Sequence, residues 1–135
     1  MRFDVLTIFP EMFEGPMHAS ILQRAQDQKI INCQLYDFRK FTENKHGKVD
    51  DTPYGGGAGM VLAPQPIVDA WKSISKVEKT RTIMLTPIGK LFDYAKAVEL
   101  AQYDQLILIC GHYEGIDQRV SELLVDEHLS IGDYV

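Results

Sequence analysis

The sequence predicts an α/β domain, a mostly parallel sheet flanked by helices. Two observations carry this. Short apolar runs of strand length alternate with stretches of helical period along the chain, the pattern of βαβ units. The run Leu106-Ile107-Leu108-Ile109 is apolar at every position, as a strand buried on both faces must be. A length of 135 residues sets one domain.

The elements follow in order. Arg2 to Ile8 reads as a strand ending at Pro10. Met17 to Gln28 reads as a helix, with Met17, Ile21, Leu22 and Ala25 on one face. Asn32 to Asp37 is a second strand. Phe38 to Ala63 reads as a loop, basic at first and glycine-rich later; at about 26 residues it is long enough to suggest function rather than accident. Gln65 to Val77 is a helix entered through prolines, with Ile67, Trp71 and Ile74 on its buried face. Thr82 to Leu85 is a strand. Asp93 to Tyr103 is a helix that Asp93 can cap. Leu106 to Cys110 is the doubly buried strand. Ile116 to Val125 is a helix with Ile116, Val120, Leu123 and Leu124 inward, and Leu129 to Ile131 begins a last strand.

Composition narrows the function classes. Hydrophobic content of 45% and charged content of 24% are those of a soluble globular protein. No apolar run approaches the roughly 20 residues of a membrane span. The start lacks the long apolar core of a signal peptide. Cys33 and Cys110 read as free thiols inside strands. A cytoplasmic location is expected. The net charge of −5 disfavours nucleic acid as a partner, but the distribution is uneven. Arg39, Lys40, Lys45 and Lys48 face a single acid, Glu43, and such a patch can hold phosphates.

Four stretches can carry chemistry. Asp50-Asp51-Thr52-Pro53-Tyr54 runs into Gly55-Gly56-Gly57-Ala58-Gly59-Met60. No Lys-Ser or Lys-Thr follows, so this is not a P-loop. Met60 stands where a dinucleotide fingerprint needs its last glycine, which disfavours a dinucleotide-dependent oxidoreductase. Acceptors, a rigid proline and an aromatic face before the glycines suit a loop that closes on something flat and polar. The other three stretches each follow a strand: Leu85-Thr86-Pro87-Ile88-Gly89, Gly111-His112-Tyr113-Glu114-Gly115, and Ile131-Gly132-Asp133-Tyr134-Val135. If their strands are parallel neighbours, the three loops meet at one sheet edge, where open sheets bind ligands. Backbone groups there can read a purine edge, and no phosphate cradle is present, so adenosine without phosphate fits better than a nucleotide.

Together these segments resemble the bacterial tRNA (guanine-N1)-methyltransferases, the TrmD family of the SPOUT methyltransferases. The match includes Ile8-Phe9-Pro10-Glu11-Met12-Phe13, Val49-Asp50-Asp51, Pro53 to Met60, Leu85-Thr86-Pro87 with Gly89, Gly111, Tyr113 to Asp117 with Arg119-Val120, and Ile131 to Val135. It spans the chain in order. The resemblance implies a trefoil-knot domain, an exception to the rule against knots. It implies a homodimer with sites at the subunit interface. The implied reaction moves a methyl group from S-adenosylmethionine to N1 of the guanine immediately 3′ of the anticodon in tRNA. Magnesium dependence is implied too, with no metal ligands assignable here.

By motif match the methyl donor falls on Leu85, Thr86, Pro87, Gly89, Gly111, Tyr113, Gly115, Ile131, Gly132, Asp133, Tyr134 and Val135. The guanine edge offers two donors, N1–H and the exocyclic amine, and a carboxylate accepting both is its natural reader. Glu114 is the candidate. Asp50 and Tyr54 are expected to touch substrate or donor, and Arg39 and Lys45, with Lys40 and Lys48, the tRNA phosphates. Asp117 is expected to cap the helix that follows it. Arg119 pairs with an acid or with RNA.

Family members are longer, and their proposed base and catalytic arginine fall beyond Val135, so no catalytic base is assigned. The chain is expected to be the amino-terminal methyltransferase domain, cut at its carboxyl end, with the knot incomplete and the small helical domain absent. A polypeptide ending at Val135 is expected to bind donor weakly and not to turn over. The rival reading is then a catalytically inactive dimerisation or binding module.

Overall fold

The structure, a computed structural model, describes residues 1–43 and 45–134. Its centre is a five-stranded sheet in which every pairing is parallel, as the alternating pattern predicts. The strands are β1 (Arg2–Thr7), β2 (Asn32–Asp37), β5 (Thr80–Leu91), β6 (Gln105–Cys110) and β7 (Glu127–Ser130), in the order β2-β1-β6-β5-β7. A separate two-stranded hairpin pairs β3 (Asp50–Asp51) with β4 (Val61–Leu62). The helices are α1 (Glu11–Met17), α2 (Ser20–Asp27), α3 (Pro64–Ser73), α4 (Tyr94–Leu100) and α5 (Gln118–Leu124). None is long and apolar enough to cross a membrane among the described residues.

The strands alternate side chains between two cores, as period-2 geometry requires. Leu6, Ile8, Met84, Ile107 and Ile109 point to one face and pack against Ile67 and Ala70 of α3, Val120 of α5, and Phe38, Val49 and Leu62. Ile83, Leu106 and Leu129 point to the other and pack against Leu100 of α4. Right-handed crossovers account for this layering. Connections running one way along the sheet put α3 and α5 on one face, and the connection running back puts α4 on the other.

Helix ends follow their local chemistry. Asp93 caps α4 by accepting from the Lys96 N–H at 2.8 Å, and Asp117 caps α5 by accepting from the Arg119 N–H at 2.9 Å, both as expected. Pro64 and Pro66 open α3, where their missing N–H groups cost nothing. The helix ends at Ser73 rather than Val77, and Ile74 is buried just past it.

Four expectations are corrected. The helix expected over 17–28 is shortened to α2, and a separate α1 precedes it. Chain-breaking Pro16 lies in α1, and Ser20 takes a left-handed φ of 47° at the start of α2. The face with Ile21 and Leu22 is exposed, not buried. The loop over 38–63 is not structureless: a 3₁₀ turn at Phe38–Phe41 and the β3–β4 hairpin organise it, because Phe38, Val49 and Leu62 are core residues. Leu123 is 67% exposed, so only Ile116, Val120 and Leu124 of that group pack inward. Strand β5 extends past Leu85, since its backbone rejoins β7 at Lys90 after an irregular excursion.

Candidate active site at the carboxyl edge of the sheet

Because β6, β5 and β7 are parallel neighbours, the segments after them share one edge. The excursion between Leu85 and Lys90 holds Thr86, Pro87, Ile88 and Gly89 beside β7. A Cβ at Gly89 would lie 2.5 Å from the Leu129 nitrogen, so this glycine is needed for contact between backbones. After β6, Gly111 is exposed, Tyr113 is in the left-handed region at φ 60°, and Gly115 has φ 148°. After β7, the Ser130 hydroxyl donates to the Gly132 carbonyl at 2.7 Å and accepts the Gly132 N–H at 3.2 Å, closing a tight turn. Gly132 also lies under the Tyr134 ring, whose Cδ1 is 2.7 Å from where a Cβ would stand. Asp133 is exposed; Val135 lies outside the described residues. Ile88, Tyr113, Ile131 and Tyr134 leave large apolar surfaces uncovered on these segments.

The chain leaves β1 toward β2 and leaves β6 toward β7, in opposite directions, so the carboxyl ends of these neighbours form a topological switch point. The Phe9 and His112 rings meet there edge to face at 4.8 Å, and His112 meets Tyr113 at the same distance. The Arg39 guanidinium lies 5.7 Å from the centre of the Phe9 ring. Arg39 is not a free cation. It grips Asp37 through Nε at 3.0 Å and Nη2 at 3.0 Å, and the hydrogen bond to Asp37 raises its pKa. Lys40, Lys45 and Lys48 are exposed nearby in sequence, on a loop drawn together by the Thr42 hydroxyl donating to the Lys48 carbonyl at 3.0 Å. Phe9 and His112 are site-edge residues that patterning did not single out. Each stands two residues past a strand, within a segment already noted for other residues.

The hairpin is joined to the loop after β6. The Glu114 N–H donates to the Met60 carbonyl at 3.1 Å, the Leu62 N–H to the Gly115 carbonyl at 2.9 Å, and the Asp117 N–H to the Leu62 carbonyl at 3.0 Å. Glu114 is exposed and its side chain lies against Gly59. Asp50 is half-buried in β3 opposite Leu62. Tyr54 is 91% exposed near the hairpin tip.

Between hairpin and α5 lies a cleft of about 760 Å³. Asp51, Pro53 and Tyr54 line one side, Ile116, Asp117 and Arg119 the other. The structure thus brings Tyr54 to Arg119, while Asp50, Glu114, Arg39 and Lys45 do not line this space. Asp117 binds Arg119 through both oxygens, at 2.9 Å to Nε and 2.8 Å to Nη2. That hydrogen bonding holds the Asp117 carboxyl below its ordinary range. Arg119 therefore pairs with an acid on its own helix. Cys33 and Cys110 are free thiols, each half-buried, and burial pushes Cys110 up to about 11, which leaves it unreactive near neutral pH.

Whether these residues fit the implied groups follows from the donors present. The exposed apolar edges and open backbone of the three segments suit the phosphate-free adenosine part of the donor. For magnesium, among the described residues no three His, Cys, Asp or Glu side chains converge.

Comparison with known proteins assigns the fold a family. The model of the family described as tRNA (Guanine-1)-methyltransferase TrmD matches residues 1–135. A curated tRNA (guanine-N(1)-)-methyltransferase of Halalkalibacterium halodurans is 53% identical over all of this chain and 56% of its own length. Those of Carboxydothermus hydrogenoformans and Shouchella clausii are 53% and 56% identical, again over the whole chain, and 53% and 56% of their own lengths are covered. The chain spans about half the length of the curated relatives it matches. A parallel α/β sheet with this order of loops, matched from end to end by the family model, belongs to the tRNA (guanine-1)-methyltransferase family.

Proposed function

We propose that this chain is the methyltransferase domain of an S-adenosylmethionine-dependent tRNA (guanine-N1)-methyltransferase. Its target is the guanine immediately 3′ of the anticodon, and it acts in the cytoplasm as a homodimer. The carrying observation is the adjacency of β6, β5 and β7, which gathers three glycine-bearing segments at one edge with Glu114 on the one that follows β6.

When bound, S-adenosylmethionine supplies an electrophilic methyl group on a sulfonium. The reaction then needs an in-line nucleophile and little covalent help, so positioning dominates. Thr86 to Gly89, Gly111 to Gly115 and Ile131 to Tyr134 hold the donor, with their exposed apolar side chains against its adenosine. The Glu114 carboxylate accepts the guanine N1–H and the exocyclic amine. Each such charged hydrogen bond contributes about 1.5–3 kcal/mol. Guanine N1 must lose its proton for the reaction to proceed, and none of the described residues is assigned that role. Tyr54 and Asp50 close on the RNA from the hairpin. Lys40, Lys45 and Lys48 meet its phosphates, with Arg39 contributing less because Asp37 already neutralises it. The trefoil knot implied by the family belongs to the same proposal.

Two measurements test this. Calorimetry should detect S-adenosylmethionine and not NAD; NAD alone binding would overturn the reading. The complete protein carrying this chain should methylate an anticodon stem-loop with guanine at that position and ignore one with adenine there. Equal methylation of both would refute Glu114 as the reader of the guanine edge.

A further inference from the structure

We infer that Gly59 is a positioning residue for Glu114, a bare stretch of backbone across which the carboxylate side chain is laid. The inference rests on the proposed role of Glu114 as reader of the guanine edge.

The hairpin tip has four glycines, and all four take positive φ: Gly55 at 85°, Gly56 at 79°, Gly57 at 128° and Gly59 at 89°. Conformation alone therefore favours glycine at each. Space separates them. A Cβ at Gly55, Gly56 or Gly57 would meet nothing within 4 Å. A Cβ at Gly59 would overlap the Glu114 Cγ and stand 2.7 Å from Oε1 and 2.8 Å from Cδ. The clash reaches back to Cγ, so swinging the carboxylate end alone cannot relieve it; the side chain must change its first rotamer.

The backbone of Glu114 cannot yield instead. Its N–H is bonded to Met60, the residue after Gly59, and the next two links of the ladder tie Leu62 to Gly115 and Asp117. Glycine and glutamate are thus held face to face by three backbone hydrogen bonds. The Glu114 side chain is otherwise exposed, so the surface of Gly59 is what limits where it can point. A reader of two donors on a flat edge needs both oxygens in one plane, and a displaced rotamer loses that plane.

The test compares Gly59→Ala with Gly56→Ala in the complete protein. Both impose alanine on a similar positive φ, but only the first meets Glu114. Gly59→Ala should lower kcat/KM for the stem-loop by about tenfold or more, the worth of one charged hydrogen bond. Gly56→Ala should cost no more than about threefold, and neither should change the affinity for S-adenosylmethionine. In a Glu114→Ala background the extra penalty of Gly59→Ala over Gly56→Ala should vanish. A second readout needs no turnover. The carboxyl carbon resonance of Glu114 should shift in Gly59→Ala and stay in place in Gly56→Ala. Equal losses in the two variants with an unmoved resonance would overturn the inference. A protein that methylates nothing, yet shows the resonance shift, would refute the proposed function and leave the positioning by Gly59 standing.

Discussion

On one face of the sheet, Leu6, Ile107 and Ile109 meet α3, α5, the 3₁₀ turn and the hairpin, and Phe38, Leu62, Ile67 and Val120 are wholly buried between them. On the other, Ile83, Leu106 and Leu129 meet Leu100 of α4, while α1 and α2 bury no residue at all. Met12, Ile21, Phe92 and Tyr94 stay exposed among these three helices and their flanks. The difference locates rigidity. The hairpin that faces Glu114 is anchored in the dense core through Val49 and Leu62. A site that must hold two hydrogen bonds in register is best hung from the part of the molecule that opens last. The thin face is held differently, by ion pairs. Lys96 of α4 bonds Glu99 and Glu127, both at 2.7 Å, and Arg81 approaches Glu127 at 3.5 Å.

The largest effect that can break this contrast comes from truncating one apolar residue on each face. Ile67→Ala empties a fully buried position and should cost about 2–5 kcal/mol. Ile21→Ala, at a position 74% exposed, should change stability by less than about 0.5 kcal/mol. Urea midpoints at equal slope measure both. Comparable losses would mean that α2 is packed against something in solution, and the thin face would no longer be thin.

This contrast also explains what patterning could and could not reach. The sheet was legible because β6 is an apolar run buried on both faces, and the shorter apolar runs of β1 and β5 alternate with stretches of helical period. The caps at Asp93 and Asp117 were legible because an N-cap is chemistry between residues two or three apart. The break between α1 and α2 was not, since Met17, Ile21, Leu22 and Ala25 keep helical spacing although no core lies beneath them. The hairpin was hidden for the opposite reason. Its strands are two residues long and are organised by distant partners, Leu62 by Gly115 and Asp117. In the candidate site, Glu114 and the glycine-bearing segments could be picked out as residue types after buried strands. The pairing of Gly59 with Glu114, and of Tyr54 with Arg119 across the cleft, is tertiary. No local spacing encodes it.

A middle-sized effect sharpens the comparison at the helix starts. Asp117→Ala removes the cap of α5 on the dense face, and Asp93→Ala removes that of α4 on the thin one. Each should cost about 1 kcal/mol, since a cap is a local hydrogen bond that owes little to the core behind it. Their dynamic consequences should part. With Asp93 gone, the first turn of α4 is held by the Lys96–Glu127 ion pair and not by buried packing, and amide exchange there should rise toward that of a frayed end. With Asp117 gone, Val120 and the hairpin ladder keep α5 in place, and exchange should rise only at Arg119 and its neighbours. Equal spreading in both helices would show that the dense core does not confine local opening.

The smallest effect concerns pH. Hydrogen bonding to Lys96 is the main cause that lowers the Glu127 carboxyl, opposed by burial and aided by the charges of Lys96 and Arg81. The folded value thus lies below the ordinary 4.5 of an unfolded chain. A depressed carboxyl contributes stability that is fully present above its unfolded value and is lost as pH falls through the folded one. Lys96 keeps its proton throughout this range, so Glu127 is the group that titrates. Since Glu127 joins β7 and β5 to α4, acid should loosen the thin face before the dense one. Amide protection in α4 should fall as the pH is lowered below the ordinary 4.5, while that in α3 holds. Glu127→Gln should start with the lower α4 protection and stay nearly flat over that range, because its amide carries no charge to lose. If α3 and α4 lose protection together, and do so alike in Glu127→Gln, then packing rather than charge fastens α4.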